Sequence, residues 1–213
     1  MGGTIAPSSS LALADGPPLI LASASRVRAR ILREAGIPAR VSTARVDESG
    51  VKNSLAAAGA DAARAAETLA EMKAVRVSAK HPGALVIGAD QILECEGSWF
   101  DKPRDMDQAT AHLRALQGRR HTLWTGVCLV RDGTRIWHHG AAAHLTMRAL
   151  GDDFIARYLA ALGAAALDSV GAYQIEGLGA HLFARSEGDH FAILGLPLLP
   201  LLDMLRANGI MAR

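Results

Sequence analysis

The chain has 213 residues, 50% of them hydrophobic and 21% charged, a balance that excludes intrinsic disorder for most of its length. Lys and Arg number 23 against 21 Asp and Glu, a net charge of +2, which gives no footprint for bulk nucleic-acid or polybasic membrane binding. No apolar run approaches the ~18 residues of a membrane span, and the two cysteines, Cys95 and Cys128, read as reduced buried thiols.

Residues 1–18 carry Ser8-Ser9-Ser10, Gly16 and three prolines but no basic start. They read as a flexible leader and not a secretory signal, which leaves a cytoplasmic protein with one domain over 19–213. Leu19 to Ala22 reads as a short buried strand that runs into Ser23-Ala24-Ser25. Val27, Ile31, Leu32 and Ala35 then recur at helical spacing, with Ser25 as N-cap and Gly36 as stop. Free N–H groups at such a helix start favour an anion.

Residues 39–43 suggest a second strand, and an Ala-rich helix is expected over 55–79 with a break near Gly59. Leu85 to Ala89 is a strand that delivers the carboxylate of Asp90 to its end, the usual position of a ligand crevice in α/β folds. Residues 91–94 stay extended, and Glu96-Gly97 is a hairpin turn. A helix over 105–117 with Asp105 as cap follows, then strands over 121–130 and 135–147 joined by a tight turn. A helix runs from Gly151-Asp152-Asp153 to Leu162. Gly171, Gly177 and Gly179 punctuate the next segment. Phe191 to Leu202 reads as a strand end, a turn and the start of a closing helix over 198–208.

Standard motifs are missing. There is no phosphate-binding G-x-x-x-x-G-K-[ST] loop, no H-E-x-x-H and no C-x-x-C, and Gly177-Leu178-Gly179 lacks the third glycine of a dinucleotide fingerprint. His138, His139 and His144 read as histidines of an exposed hairpin, and Cys128 as a core thiol. What remains is a polar set at loop positions: Ser23, Ser25, Arg26, Arg28, Glu48, Lys73, Asp90, Gln91, Lys102 and Glu176. Cations beside a helix start suit a polyphosphate. Carboxylates beside the same anion need a divalent cation between them, and one can deprotonate a water for attack on phosphorus.

The order of these segments resembles the Maf family of nucleoside triphosphate pyrophosphatases. The match is carried by Leu21-Ala-Ser-Ala-Ser25 through Arg28, by Val86 to Gln91, by Lys102-Pro103 and by Gly171 to Ala180, with Glu187 to Leu198 in support. The resemblance implies an elongated mixed β-sheet with flanking helices, an inosine-triphosphatase-like, two-lobed architecture with a central cleft. It implies cleavage between the α and β phosphates with Mg²⁺ or another divalent cation such as Mn²⁺ or Co²⁺. Asp90 falls on the position of the general base, with Lys102 beside it in the catalytic set. Ser23, Arg28, Lys73 and Lys102 fall on triphosphate positions. Glu48 falls on an acidic position that shares a metal with Asp90. Gln91 and Glu176 fall on positions tied to base selection.

The chain departs from the commonest family pattern at Val27, which stands where many members have arginine. Gln91 with Glu176 resembles the subgroup that hydrolyses 7-methyl-GTP; members acting on dTTP and UTP often carry threonine and glutamine there. A 7-methylguanine ring is cationic and offers N–H donors that a carboxylate accepts. A dTTP/UTP pyrophosphatase is the alternative within the enzyme class. A nucleotide-sensing regulator of cell division without significant turnover is the alternative outside it. No nucleic-acid or membrane partner is expected, and a broad sheet suits a homodimer.

Overall fold

The computed structural model describes residues 16–43 and 46–212. Most of the expected leader, residues 1–15, lies outside the described residues. Pro18 accepts from Leu85 N at 2.9 Å through its carbonyl, which ties the start of the first strand to the centre of the sheet.

Seven strands form one mixed sheet: β1 (Leu19–Leu21), β2 (Arg40–Val41), β3 (Leu85–Cys95), β4 (Ser98–Phe100), β5 (Arg120–Arg131), β6 (Thr134–Met147) and β7 (Phe183–Glu187). The order is β2-β1-β3-β5-β6-β7, with β4 also paired to β3. β1 runs parallel to β2 and β3, and the remaining pairs are antiparallel. Helices α1 (Arg26–Glu34), α2 (Glu48–Ala57), α3 (Ala62–Ser78), α4 (Met106–Leu116), α5 (Asp152–Leu162), α6 (His190–Ile193) and α7 (Leu198–Ala207) surround it. The α/β class and the mixed sheet with flanking helices agree with expectation.

The central strand β3 divides its side chains by parity, as a pleated strand must. Val86 packs with Ala70, Ala74 and Val77 of α3 on one face. Leu85, Ile87 and Ala89 pack with α1 and α7 on the other. Further along, Leu93 joins a separate core built on α4 and α5, so the two ends of the sheet are covered by different helices. Gly88 permits the tightest approach: a Cβ there would lie 2.2 Å from Ala70 O and 2.8 Å from Ala74 Cβ. Only a residue without Cβ lets α3 settle against β3 at that depth.

Several expectations need correction. Asp90 does not end its strand; β3 continues to Cys95, because β5 pairs with it from Leu85 to Glu94. Its other edge behaves differently. β1 covers Leu85 to Ile87 and β4 covers Leu93 to Cys95, so residues 88–92 have no strand neighbour there. Asp90 therefore lies just past the end of the parallel pairing, within a continuous strand. The Ala-rich stretch forms two helices separately capped by Asp47 and Asp61, whose side chains accept from Gly50 N and Arg64 N. The expected break near Gly59 is present, and that residue turns the chain between them at φ +75°; what differs is that the first helix starts earlier, at Glu48. The second strand shrinks to Arg40–Val41. Phe191 begins no strand: Asp189 caps α6 by accepting from Phe191 N and Ala192 N. β7 was not anticipated, since four of its five residues, Ala184 to Glu187, are polar or small.

Candidate active site

The strand gap at 88–92 opens into a cleft of about 290 Å³ between the two ends of the sheet. Nine of the ten residues singled out in the sequence line it: Ser23, Ser25, Arg28, Glu48, Lys73, Asp90, Gln91, Lys102 and Glu176; the tenth, Arg26, is held outside it by Asp168. Even-numbered β3 residues face α3, so Asp90 meets Lys73, whose Nζ is 2.5 Å from Asp90 Oδ1. The same Nζ is 2.8 Å from Glu48 Oε1 at the start of α2. One ammonium thus bridges two carboxylates. Asp90 and Lys73 are buried, 5% and 8% exposed, and burial of a lone charge would be prohibitive, so the pair is mutually dependent. The second Asp90 oxygen, Oδ2, is also buried and has no hydrogen-bond partner. Buried carboxylate oxygens are normally satisfied, so this one is an acceptor awaiting a donor or a cation.

Arg28 reaches the unpaired edge of β3. Its Nη1 donates to Ala89 O at 2.8 Å and to Ser23 Oγ at 3.1 Å, and its Nε donates to Gly195 O at 2.7 Å. The guanidinium therefore replaces the missing strand neighbour and fastens α1 to the turn before α7. Burial lowers its proton affinity from the ordinary value, while Asp90 and then Glu48 pull the other way; an arginine so placed stays charged. Ser25 caps α1, its Oγ accepting from Arg28 N at 3.3 Å. Ser23 Oγ also accepts from Ser25 N at 3.2 Å. Lys102 follows β4 and also lines the cleft. Its residue surface is exposed, yet loss of water beside the cleft, and next the charge of Arg28, push its ammonium below the usual range; Glu48 and Asp168 oppose that.

Gln91 has odd parity and points to the other face, towards α6. Its Nε2 donates to Thr125 Oγ1 and Ala192 O, both at 2.9 Å, and to Ile193 O at 3.3 Å. Those donors hold the cleft wall together and are not free for a ligand. Glu176 stands on irregular helical turns after Ala172, a non-glycine residue at φ +61°. Its Oε1 accepts from Arg30 Nη2 at 3.1 Å. Behind these turns Tyr173 is buried, its hydroxyl 2.9 Å from His121 Nε2. Burial lowers His121 to about 4.

Lys52, Asp101 and Asp168 also line the cleft and were not singled out in the sequence. Lys52 pairs with Asp101, and Arg26 pairs with Asp168 at 2.5 Å. Each pair joins elements far apart in sequence, and no local pattern marks such partners. Thr125 is a fourth omission: its Oγ1 accepts from Gln91 and donates to Ala192 O at 3.1 Å. Alternation along β5 could have placed it inward. Outside the cleft, Cys95 and Cys128 are free buried thiols, and burial pushes Cys128 up to about 12. His138, His139 and His144 lie along β6, where His139 stacks on Trp137 and His144 Nδ1 is 3.0 Å from Thr122 Oγ1. Among the described residues no helix is long and apolar enough to cross a membrane.

Comparison with known proteins covers nearly all of the chain. A family model described as Maf-like protein matches residues 18–208. A nucleoside triphosphate pyrophosphatase of Paramagnetospirillum magneticum is 58% identical over 190 residues, which is 89% of this chain and 98% of the relative. Another, of Rhodospirillum rubrum, is 51% identical over 195 residues, 92% and 96% of the two chains. A 7-methyl-GTP pyrophosphatase of Rhizobium etli is 49% identical over 193 residues, 91% and 97% of the two chains.

Proposed function

The chain belongs to the Maf-like protein family, and from that premise we propose a nucleoside triphosphate pyrophosphatase that works through Asp90 and favours a cationic methylated purine such as 7-methyl-GTP. Hydrolysis of a nucleoside triphosphate is what its relatives are named for. The observation that carries the site assignment is the buried Asp90 Oδ2 without a partner, beside an Oδ1 held by Lys73. A water held by Oδ2 gives up its proton to the carboxylate as its oxygen bonds to the α phosphorus. The bond from that phosphorus to the bridging oxygen breaks, and pyrophosphate leaves with the electron pair. Arg28, Lys73 and Lys102 surround the same space with positive charge, which suits a transition state that gathers negative charge on the departing oxygens.

Glu48 and Asp90 would hold a divalent cation such as Mg²⁺. Two carboxylates, one with an unsatisfied oxygen, together with substrate phosphate oxygens make the donor set that Mg²⁺ takes. The ion would neutralise phosphate charge. Among the described residues no group of three His, Cys, Asp or Glu could hold a metal, so the substrate has to complete the shell.

Selectivity falls to Glu176. Gln91 has its amide donors engaged by the protein and acts by fixing the wall. Glu176 lines the cleft with a carboxylate, which attracts a cationic ring and accepts from its N–H edge. The name of the Rhizobium etli relative supports this preference, whereas the two others have names that specify no base. The test is pyrophosphate release from a panel of nucleotides with Mg²⁺, with Asp90→Asn as control. The panel holds the four common ribonucleotides, dTTP and 7-methyl-GTP. Release led by 7-methyl-GTP and lost in the variant is expected. Release led by dTTP and UTP would overturn the base preference. Binding without release would leave a nucleotide sensor.

A further inference from the structure

We propose that Arg30 determines how strongly this enzyme distinguishes a cationic purine from its neutral parent, acting as a positioning residue through Glu176. The inference rests on the reading of Glu176 as the base-selecting carboxylate. Glu176 lines two cavities. One is the cleft with Asp90 and Lys73, and the other is a second hollow lined by Arg30, Ile31, Glu34, Phe191 and Leu194. Arg30 lines only the second, so its guanidinium meets Glu176 from the side away from the cleft.

The contact is 3.1 Å, from Arg30 Nη2 to Glu176 Oε1, with side chains 40% and 26% exposed. Arg30 lies on α1, one turn beyond Arg26, which makes the corresponding contact with Asp168. Two arginines of one helix face thus hold the irregular segment that carries Glu176. For Asp168 the bond is an anchor at the cleft mouth. For Glu176 it has a second effect, because the acceptor is also the group offered to the base.

A carboxylate that already accepts from a guanidinium has less attraction left for another cation. A methylated, positively charged ring in the cleft and Arg30 behind the wall compete for one negative charge. A neutral guanine suffers little from that competition. Arg30 therefore orients Glu176 and at the same time moderates the advantage of the cationic ring. Removing the guanidinium charge should strengthen discrimination, whereas a purely structural role would weaken both substrates alike.

The experiment measures kcat and KM for 7-methyl-GTP and GTP in the parent, Arg30→Gln, Arg30→Lys, Glu176→Gln and the Arg30→Gln/Glu176→Gln double variant. Arg30→Gln is expected to raise the ratio of kcat/KM for 7-methyl-GTP over GTP by about two- to fivefold, the range of a half-exposed ion pair. The change should lie in KM, with kcat nearly constant. Arg30→Lys keeps the charge and should stay near the parent ratio. In the Glu176→Gln background the Arg30 substitution should change nothing.

An unchanged or lower ratio in Arg30→Gln overturns the proposal, as does a rise that persists without the Glu176 carboxylate. Failure of the underlying reading appears elsewhere, as an equal 7-methyl-GTP to GTP ratio in the parent and in Glu176→Gln.

Discussion

At the proposed phosphate end of the cleft the central ionised groups, Arg28, Lys73 and Asp90, sit on regular elements and are shut away from water. Lys73 on α3 and Asp90 on β3 have side chains only 10% and 7% exposed, and Arg28 donates to three elements at once. At the base end, Glu176 stands on irregular turns and its partner Arg30 is 40% exposed. Buried, mutually dependent charges cannot be altered singly without a large loss. Half-exposed pairs carry little energy and change cheaply. On the proposed assignment, reaction chemistry is placed where substitution is costly, and selectivity where it is cheap, so substrate preference can vary on a fixed catalytic frame.

The largest effect that could break this comparison is at Asp90. Asp90→Asn should lower kcat about 1,000-fold, the range of a positioned general base, while nucleotide affinity, read by titration calorimetry, stays within about tenfold. Substantial turnover in that variant would remove the base from the phosphate end. Next is Lys73→Met, which leaves Asp90 buried and unpaired. A loss of about 4 kcal/mol in denaturant unfolding at pH 7 is expected, partly recovered in Lys73→Met/Asp90→Asn. A Lys73→Met protein as stable as its parent would show that the two ends do not differ in kind.

A third effect tests the support beneath the base end. His121 is 1% exposed, and its pKa falls from 6.5 to about 4. The unfolded chain takes up that proton near pH 6.5 and the folded one only near 4. In between, the unfolded state binds more protons, so stability falls as pH is lowered through that window. The loss levels off below about pH 4, at roughly 3 kcal/mol. Urea midpoints measured across the window, with His121→Phe as the flat control, check it. The smallest effect is Glu176→Gln, expected to shift the ratio of kcat/KM for 7-methyl-GTP over UTP downwards by about fivefold. A fixed substrate ranking would remove Glu176 from selection and leave the base end without a reader.

The phosphate end was legible in the sequence because its residues lie on strongly periodic elements. The Leu19–Leu21 strand, its Ser25-capped helix and the run into Asp90 announce themselves through apolar spacing and turn residues. The place of Asp90 within β3 was misread because local composition cannot reveal which edge of a strand loses its neighbour; that depends on β1, more than 60 residues earlier in the chain. Gln91 was legible as a lining residue but not as one whose donors are engaged, since Ala192 and Ile193 are fixed only by tertiary folding. Lys52 pairs with Asp101 across the fold, as Asp168 does with Arg26, and in sequence Lys52, Asp101 and Asp168 look like ordinary surface charges. β7 carries no alternating apolar signal, and pairing with β6 alone makes it a strand.

The Arg28 bond to Gly195 joins positions 167 residues apart. During synthesis the amino-terminal part of the chain leaves the ribosome first, yet the carbonyl that receives Arg28 Nε is added near the end. A nascent chain that has been made from β1 through β4 to Lys102 holds every charged group of the proposed phosphate end but lacks the anchor that completes it. Any product terminated before Gly195 loses that anchor together with α7. The proposed catalytic frame is thereby tied to completion of the polypeptide, and prematurely ended products are not expected to consume nucleotides.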